Sequence, residues 1–303
     1  MKILITGSSG MLGTELCGVF AEENEIVGVD VTAPLEAAVS PQVFYEANIT
    51  DLGCIKEVFD KEKPELVIHA AAWTDVDGCE RDPDKAYAVN VLGTENVVRA
   101  SARTRKAPVI FISTDFVFDG GKGAAYTEVD QTRQINVYGR TKRAAEEGLE
   151  RARTDYAIVR TGWLYGKNGK NFVDTVIAKG RAEGRLRVVD DQVGSPTYTK
   201  DLARALKELV ASLNKFKKGV FHVSNSGRCS WYDFALKIFS DLEGMDKVVV
   251  EAITSRELAR PAQRPRFSVL DNSRFQNLTG HKMRPWQEAL AGYISEHYSK
   301  ERE

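Results

Sequence analysis

Through the first half of the chain, short runs of β-branched and aliphatic residues alternate with helix-length amphipathic segments, the pattern of βα units building a parallel sheet. The runs predict strands at Lys2–Thr6, Glu25–Asp30, Glu65–Ala71, Pro108–Ser113 and Tyr156–Thr161. Helices are expected to start near Met11, Asp51, Pro83 and Asn136, and Asp82 followed by Pro83 reads as an N-cap with proline at the first helical position. The crossovers should be right-handed. After Thr161 the alternation becomes irregular, with a glycine-rich stretch Gly166–Gly169, the segment Leu186–Thr197, a helix over Asp201–Leu213 and a strand over Gly219–Ser224. The expected α/β core sheet therefore takes residues 1–165 plus about 198–225, and a smaller lobe over its carboxyl edge takes about 166–197 plus 226–303.

Composition narrows the reading. A chain of 303 residues with 43% hydrophobic and 28% charged residues can bury a substantial core, and a formal net charge of −1 gives no bulk pull toward nucleic acid or an anionic membrane. Cys17, Cys54, Cys79 and Cys229 are scattered without CxxC spacing, which reads as reduced packing residues rather than a disulfide framework or zinc site. The first strand runs straight into a glycine loop, and no stretch reaches the ~18 apolar residues of a membrane span, so a cytoplasmic protein is expected.

That loop, Gly7-Ser8-Ser9-Gly10-Met11-Leu12-Gly13, follows a strand and opens a helix, the context a phosphate-binding turn needs. Gly7 permits the tight turn, Gly10 admits backbone N–H groups to a diphosphate, and Gly13 lets helix and sheet approach. A plain glycine-rich turn would look similar. Asp30, at the end of the second strand, can reach adenosine ribose hydroxyls, which favours NAD; no basic residue follows at Val31-Thr32-Ala33, and use of both cofactors stays open. Asn48, Ile49 and the run Ala70-Ala71-Ala72 fall near later strand ends, where small side chains let a cofactor lie close to backbone, although buried packing explains the alanines equally well.

Tyr138 and Lys142 stand four residues apart, on one face of the expected helix. An alkoxide formed by hydride transfer needs a proton, and a lysine beside a phenol is expected to lower its pKa and to hold the nicotinamide ribose. On its own the pair also fits an ordinary solvent-facing helix. Upstream, Ser113, Thr114 and Asp115 close an apolar strand at the edge of the sheet where open parallel sheets carry their sites, and Thr114 could bond a substrate carbonyl. Caps are common for such residues, but a cap does not explain why glycine loop, strand end and Tyr/Lys helix follow one another in this order.

With these pieces in sequence the chain resembles the extended short-chain dehydrogenases/reductases, and specifically the dTDP-4-dehydrorhamnose reductase family. The stretches that carry the resemblance are Ala70–Asp77, Ser113–Gly120, Asn136–Lys142, Arg160–Gly166, Val189–Thr197 and Arg264-Pro265 with Ser268 and Leu270. The resemblance implies a Rossmann-type doubly wound parallel sheet with a smaller α/β substrate-binding lobe. It implies NADPH or NADH as cofactor, held by Gly7, Ser9, Gly10, Met11, Leu12, Gly13, Asp30, Val31, Asn48, Ile49, Ala70, Ala71, Ala72, Asn90, Tyr138 and Lys142. Thr114, Tyr138 and Lys142 are implied as catalytic. Thr74, Val76, Asp115, Trp163 and Arg264 are implied as contacts of a dTDP-linked 4-keto-6-deoxy sugar, reduced at C4. Val76 and Trp163 could instead be core, Asn90 a helix-face polar residue, and Arg264 one half of a surface salt bridge.

The chain departs from its relatives in places. Some use glutamates for a magnesium ion at a dimer contact; Glu15 matches, but Lys200 takes the later acidic position, so no such metal is expected, while a homodimer stays open. Gln134 stands where a proline is usual, and Gly162 replaces a serine before Trp163. The four histidines show no metal-ligand spacing. Competing readings are another nucleotide-sugar 4-ketoreductase, an epimerase that recycles its hydride, and a non-catalytic subunit such as the regulatory subunit of methionine adenosyltransferase; the intact Thr114/Tyr138/Lys142 set argues against the last.

Overall fold

The computed structural model describes residues 1–34 and 41–298; the expected first lobe's residues 35–40 and the second lobe's 299–303 lie outside the described residues. The strands are β1 Lys2–Thr6, β2 Glu25–Asp30, β3 Val43–Glu46, β4 Leu66–His69, β5 Val109–Thr114, β6 Tyr156–Thr161, β7 Leu164–Tyr165, β8 Arg185–Val189, β9 Val193–Gly194, β10 Thr197–Tyr198, β11 Lys218–His222, β12 Cys229–Ser230 and β13 Val249–Ile253. The helices are α1 Met11–Ala21, α2 Leu52–Glu62, α3 Val76–Arg81, α4 Pro83–Tyr87, α5 Thr94–Thr104, α6 Val137–Arg151, α7 Phe172–Glu183, α8 Thr199–Ala211, α9 Trp231–Asp241, α10 Ser255–Leu258, α11 Ser273–Thr279 and α12 Trp286–Tyr298.

Seven strands form one sheet in the order β3-β2-β1-β4-β5-β6-β11, with every neighbouring pair parallel. This is the doubly wound Rossmann arrangement, and its order reverses between β1 and β4, where a crevice opens at the carboxyl ends. Helices cover both faces, so central strands such as Val109–Thr114 and Tyr156–Thr161 are buried along their whole length and read as apolar runs rather than alternations. Leu16, Phe20, Leu202, Leu206 and Phe275 close one face from α1, α8 and α11; Ile55, Phe59, Val97 and Leu149 close the other from α2, α5 and α6.

A separate apolar cluster gathers Tyr165, Val176, Ile177, Phe234, Ile238, Leu290 and Tyr293 from β7, α7, α9 and α12, with β8 and β13 paired beside it. Although the sequence reading assigns everything after Ser226 to this smaller unit, α11 packs on the large sheet through Phe275. Asn272 ties it there, accepting from Ser224 N at 3.1 Å and donating to Ser224 O at 2.8 Å. Strand β3 was not expected: it is a short edge strand, half-buried at best, and shows no clean alternation. The Asp82–Pro83 start is as read, with the Asp82 carboxylate accepting from Lys85 N at 3.0 Å. That short helix continues as a π-helical stretch, Ala88–Gly93, before α5.

Candidate active site

Between the end of β1 and the start of α1 the chain must reverse within Gly7–Gly10. Gly7 takes φ 72°, and a Cβ there would lie 2.7 Å from Ala71 N; a Cβ on Gly13 would lie 1.9 Å from the Gly7 carbonyl oxygen. Only glycine allows this closure. Gly10 caps α1 without a side chain and the first turn holds no acidic residue, so its N–H groups face outward for an anion. A cradle that any Cβ would fill, set at a helix N-terminus, fits the diphosphate of a dinucleotide.

A cleft of about 720 Å³ runs from this turn along the carboxyl ends of the strands. On the cofactor side its wall includes Gly7, Gly10, Met11, Leu12 and Gly13, then Asp30 and Val31, Asn48 and Ile49, and Ala70, Ala71 and Ala72. Ser9 is not part of this wall; its N–H donates to Asp30 Oδ2 at 2.9 Å, while Val31 N–H donates to Oδ1 at 2.7 Å. The carboxylate is thereby fixed at the end of β2.

At the other end, Thr114, Asp115, Tyr138 and Lys142 meet with Thr74, Val76 and Trp163. Helix α6 starts on the Asn136 cap, which accepts from Gly139 N at 2.7 Å, and a Cβ at Gly139 would strike Phe116 O at 2.2 Å. Tight packing of α6 on the β5 end thus sets Tyr138 beside Thr114. Burial pushes the Tyr138 phenol above its usual range, the Asp115 charge adds to this, and the neighbouring Thr114 hydroxyl opposes both. The expected effect of Lys142 on that phenol is absent from this arrangement. A buried ammonium needs an acceptor, and Lys142 Nζ donates to the Ile112 carbonyl at 2.7 Å; burial lowers its pKa to about 7, against the raising influence of Glu146.

Asp115 is 3% exposed, and burial raises its carboxyl to about 6, opposed by the nearby Ser268 hydroxyl and by Thr114, whose Oγ1 donates to Oδ1 at 3.1 Å. Its Oδ2 has no partner. Position 162 shows why glycine replaces serine there: a Cβ would come 2.6 Å from Asp115 Cγ. Asn90 lies outside the cleft wall, inside the π-helical stretch, where its Oδ1 accepts from Trp73 N at 2.8 Å and its Nδ2 donates to Trp73 O and Thr141 Oγ1. It braces the site rather than touching its contents, and a π-turn is a common device for such placement. Arg264 is also outside the wall: its guanidinium donates to Asp77 Oδ1 at 2.7 Å and to Ala262 O at 2.6 Å.

The cleft also includes residues that the sequence reading did not single out, notably Trp231, Trp73, Lys85 and Lys170. Lys170 follows the glycine-rich stretch, and a Cβ on Gly169 would sit 3.0 Å from Met11 Cβ, so this segment crosses over the cofactor turn. Ser230 and Asp233 form a capping box, a readable helix start that would have drawn attention to Trp231. Among the described residues no group of three or more His, Cys, Asp or Glu side chains is placed to hold a metal, and no helix is long and apolar enough to cross a membrane.

A glycine cradle at the switch point of a parallel sheet, facing a Thr-Tyr pair across one cleft, defines an oxidoreductase of the short-chain dehydrogenase/reductase class. A family model described as the RmlD substrate binding domain matches residues 1–299. The chain is 38% identical over 298 residues to the spore coat polysaccharide biosynthesis protein SpsK of Bacillus subtilis, covering 98% of each. A solved dTDP-4-dehydrorhamnose reductase of Clostridium acetobutylicum is 40% identical, with a TM-score of 0.87 over 97% of this chain and 99% of that one. Another, of Bacillus anthracis in complex with NADP, is 36% identical with the same TM-score and coverage. The chain belongs to the dTDP-4-dehydrorhamnose reductase family.

Proposed function

We propose that this protein reduces the C4 ketone of dTDP-4-dehydro-L-rhamnose to give dTDP-L-rhamnose, with NADPH or NADH as reductant. The observation that carries this reading is the Thr114–Tyr138 pair at one end of a cleft whose other end is the glycine cradle. The bound dinucleotide supplies the hydride. Thr114 and Tyr138 hold the ketone oxygen, and Tyr138 gives its proton to that oxygen as negative charge develops there. A phenol held above its usual ~10 remains protonated across the neutral range, the state a reduction requires. Lys142, anchored on Ile112 O, lies one helical turn from the phenol, where its donors can reach the nicotinamide ribose. The free Asp115 Oδ2 offers an acceptor to a sugar hydroxyl, with Val76 and Trp163 against the apolar faces of the deoxyhexose.

The test follows NADH and NADPH absorbance with the 4-keto sugar and identifies the product by NMR. One cofactor oxidised per dTDP-L-rhamnose formed is the expected outcome. No oxidation, or sugar conversion without net oxidation as an epimerase gives, would reject the proposal.

A further inference from the structure

Trp163 adopts φ 51°, a left-handed backbone state that bulky residues avoid and that persists only where surrounding structure holds it. Two neighbours do so. Gly194 abuts the indole edge so closely that a Cβ there would fall 2.4 Å from Cε2 and 2.5 Å from Nε1. Trp231 covers a ring face, with centroids 3.4 Å apart and planes inclined by 1°. Both restraints come from one ribbon, because β12, which ends at Ser230, pairs antiparallel with β9, which ends at Gly194. The ribbon is itself fixed: Ser230 Oγ donates to Asp190 Oδ1 at 2.6 Å and also caps α9, and Phe172 lies 4.5 Å from Trp231.

A centred face-to-face stack is a poorer aromatic contact than an offset or edge-on one, so its own stability does not explain it. Its consequence is geometric, since both indoles line the cleft beside Asp115 and Tyr138. We propose that Trp231 is a positioning residue for the nucleotide-sugar: it fixes the plane of Trp163, the surface on which the deoxyhexose packs. This rests on the sugar site described under the proposed function.

The test compares wild type with Trp231→Ala and Trp231→Phe. Titration calorimetry measures dTDP-L-rhamnose and NADH binding separately, circular dichroism follows the paired-indole signal, and steady-state assays separate KM from kcat. Trp231→Ala should lose the paired-indole signal, bind dTDP-L-rhamnose about tenfold more weakly and raise the KM of the keto sugar to match, with kcat and NADH affinity nearly unchanged. Trp231→Phe should recover most of the sugar affinity. Unchanged sugar binding in Trp231→Ala overturns the inference, as does a parallel fall in NADH affinity and thermal stability that phenylalanine does not rescue, or a wild-type chain that binds no dTDP-L-rhamnose. A wild type that binds dTDP-L-rhamnose yet oxidises no NADH with the keto sugar would fault the reductase reading alone, and the binding comparison would still judge Trp231.

Discussion

At the scale of single residues, Tyr138 shows what spacing reveals and what it hides. Its place four residues before Lys142 is legible in the sequence, whereas the side-chain directions are not: the lysine turns to Ile112 O, and the phenol is governed by burial, Asp115 and Thr114. Arg264 is a similar case, because its partner Asp77 is distant in sequence. Tyr138→Phe should lower kcat by about 10²–10⁴-fold while NADH affinity is retained, as single-turnover oxidation and fluorescence titration can check; more than a tenth of the wild-type rate would remove Tyr138 as the donor. Asp30 carries a second prediction. No Lys, Arg or His occurs between Lys2 and Lys56, so a 2′-phosphate beside this fixed carboxylate meets no cation from that stretch. NADH should bind more tightly than NADPH, and Asp30→Asn should narrow the gap; equal affinities in the wild type would contradict this.

At the scale of elements, α6 carries Tyr138, Lys142 and Glu146 along one face, and the last of these joins the helix to the sheet. Arg160 of β6 donates Nε to Glu146 Oε1 at 2.9 Å and Nη2 to Oε2 at 2.7 Å, and Ser113 Oγ of β5 donates to Oε1 at 2.6 Å. Arg160 and Glu146 are 3% and 0% exposed. Removing the carboxylate strands a buried guanidinium whose Nη1 already has no partner, so Glu146→Ala should cost about 3–5 kcal/mol of stability. The midpoint of urea unfolding checks this, and a loss below about 1 kcal/mol would show that the site is reached by water. The central strands and the Asp82 and Asn136 caps could be read from the chain because local signals and burial agree there. Edge strand β3 and the π-helical stretch could not, because their form depends on neighbours brought from elsewhere in the fold; helices α7 and α9 do carry local start signals, the Asn171 cap and the Ser230/Asp233 capping box.

At the scale of the whole molecule, two histidines in the large core make stability depend on pH. His69 is fully buried between Thr6 Oγ1 at 2.6 Å and Thr94 Oγ1 at 2.9 Å; His222 is fully buried with Nδ1 2.9 Å from Tyr126 O. Burial lowers both to about 3, with Lys142 adding to the effect at His69 and Arg160 at His222. An unfolded histidine titrates near ~6.5, so between that pH and about 3 the unfolded chain binds protons that the folded chain refuses, and acidification favours unfolding. Asp115 works the other way: with its folded value raised to about 6 from 3.8, the folded chain holds the extra proton over that window. Between pH 6 and 4, Glu15 and Glu128, whose carboxyls burial also raises, act with Asp115, while His297, which burial lowers, and the ion-paired carboxyls of Glu62, Asp77 and Glu296, held low, act with the two histidines. Below that, Asp130, held at about 2 by Lys122 and the Thr127 amide, joins the histidines. The thermal midpoint should therefore fall steadily as pH drops from 7 to 4.5 in scanning calorimetry. His222→Gln, whatever its own cost, should make that fall shallower by removing one of the two sites; an unchanged slope would mean that His222 takes up its proton without unfolding.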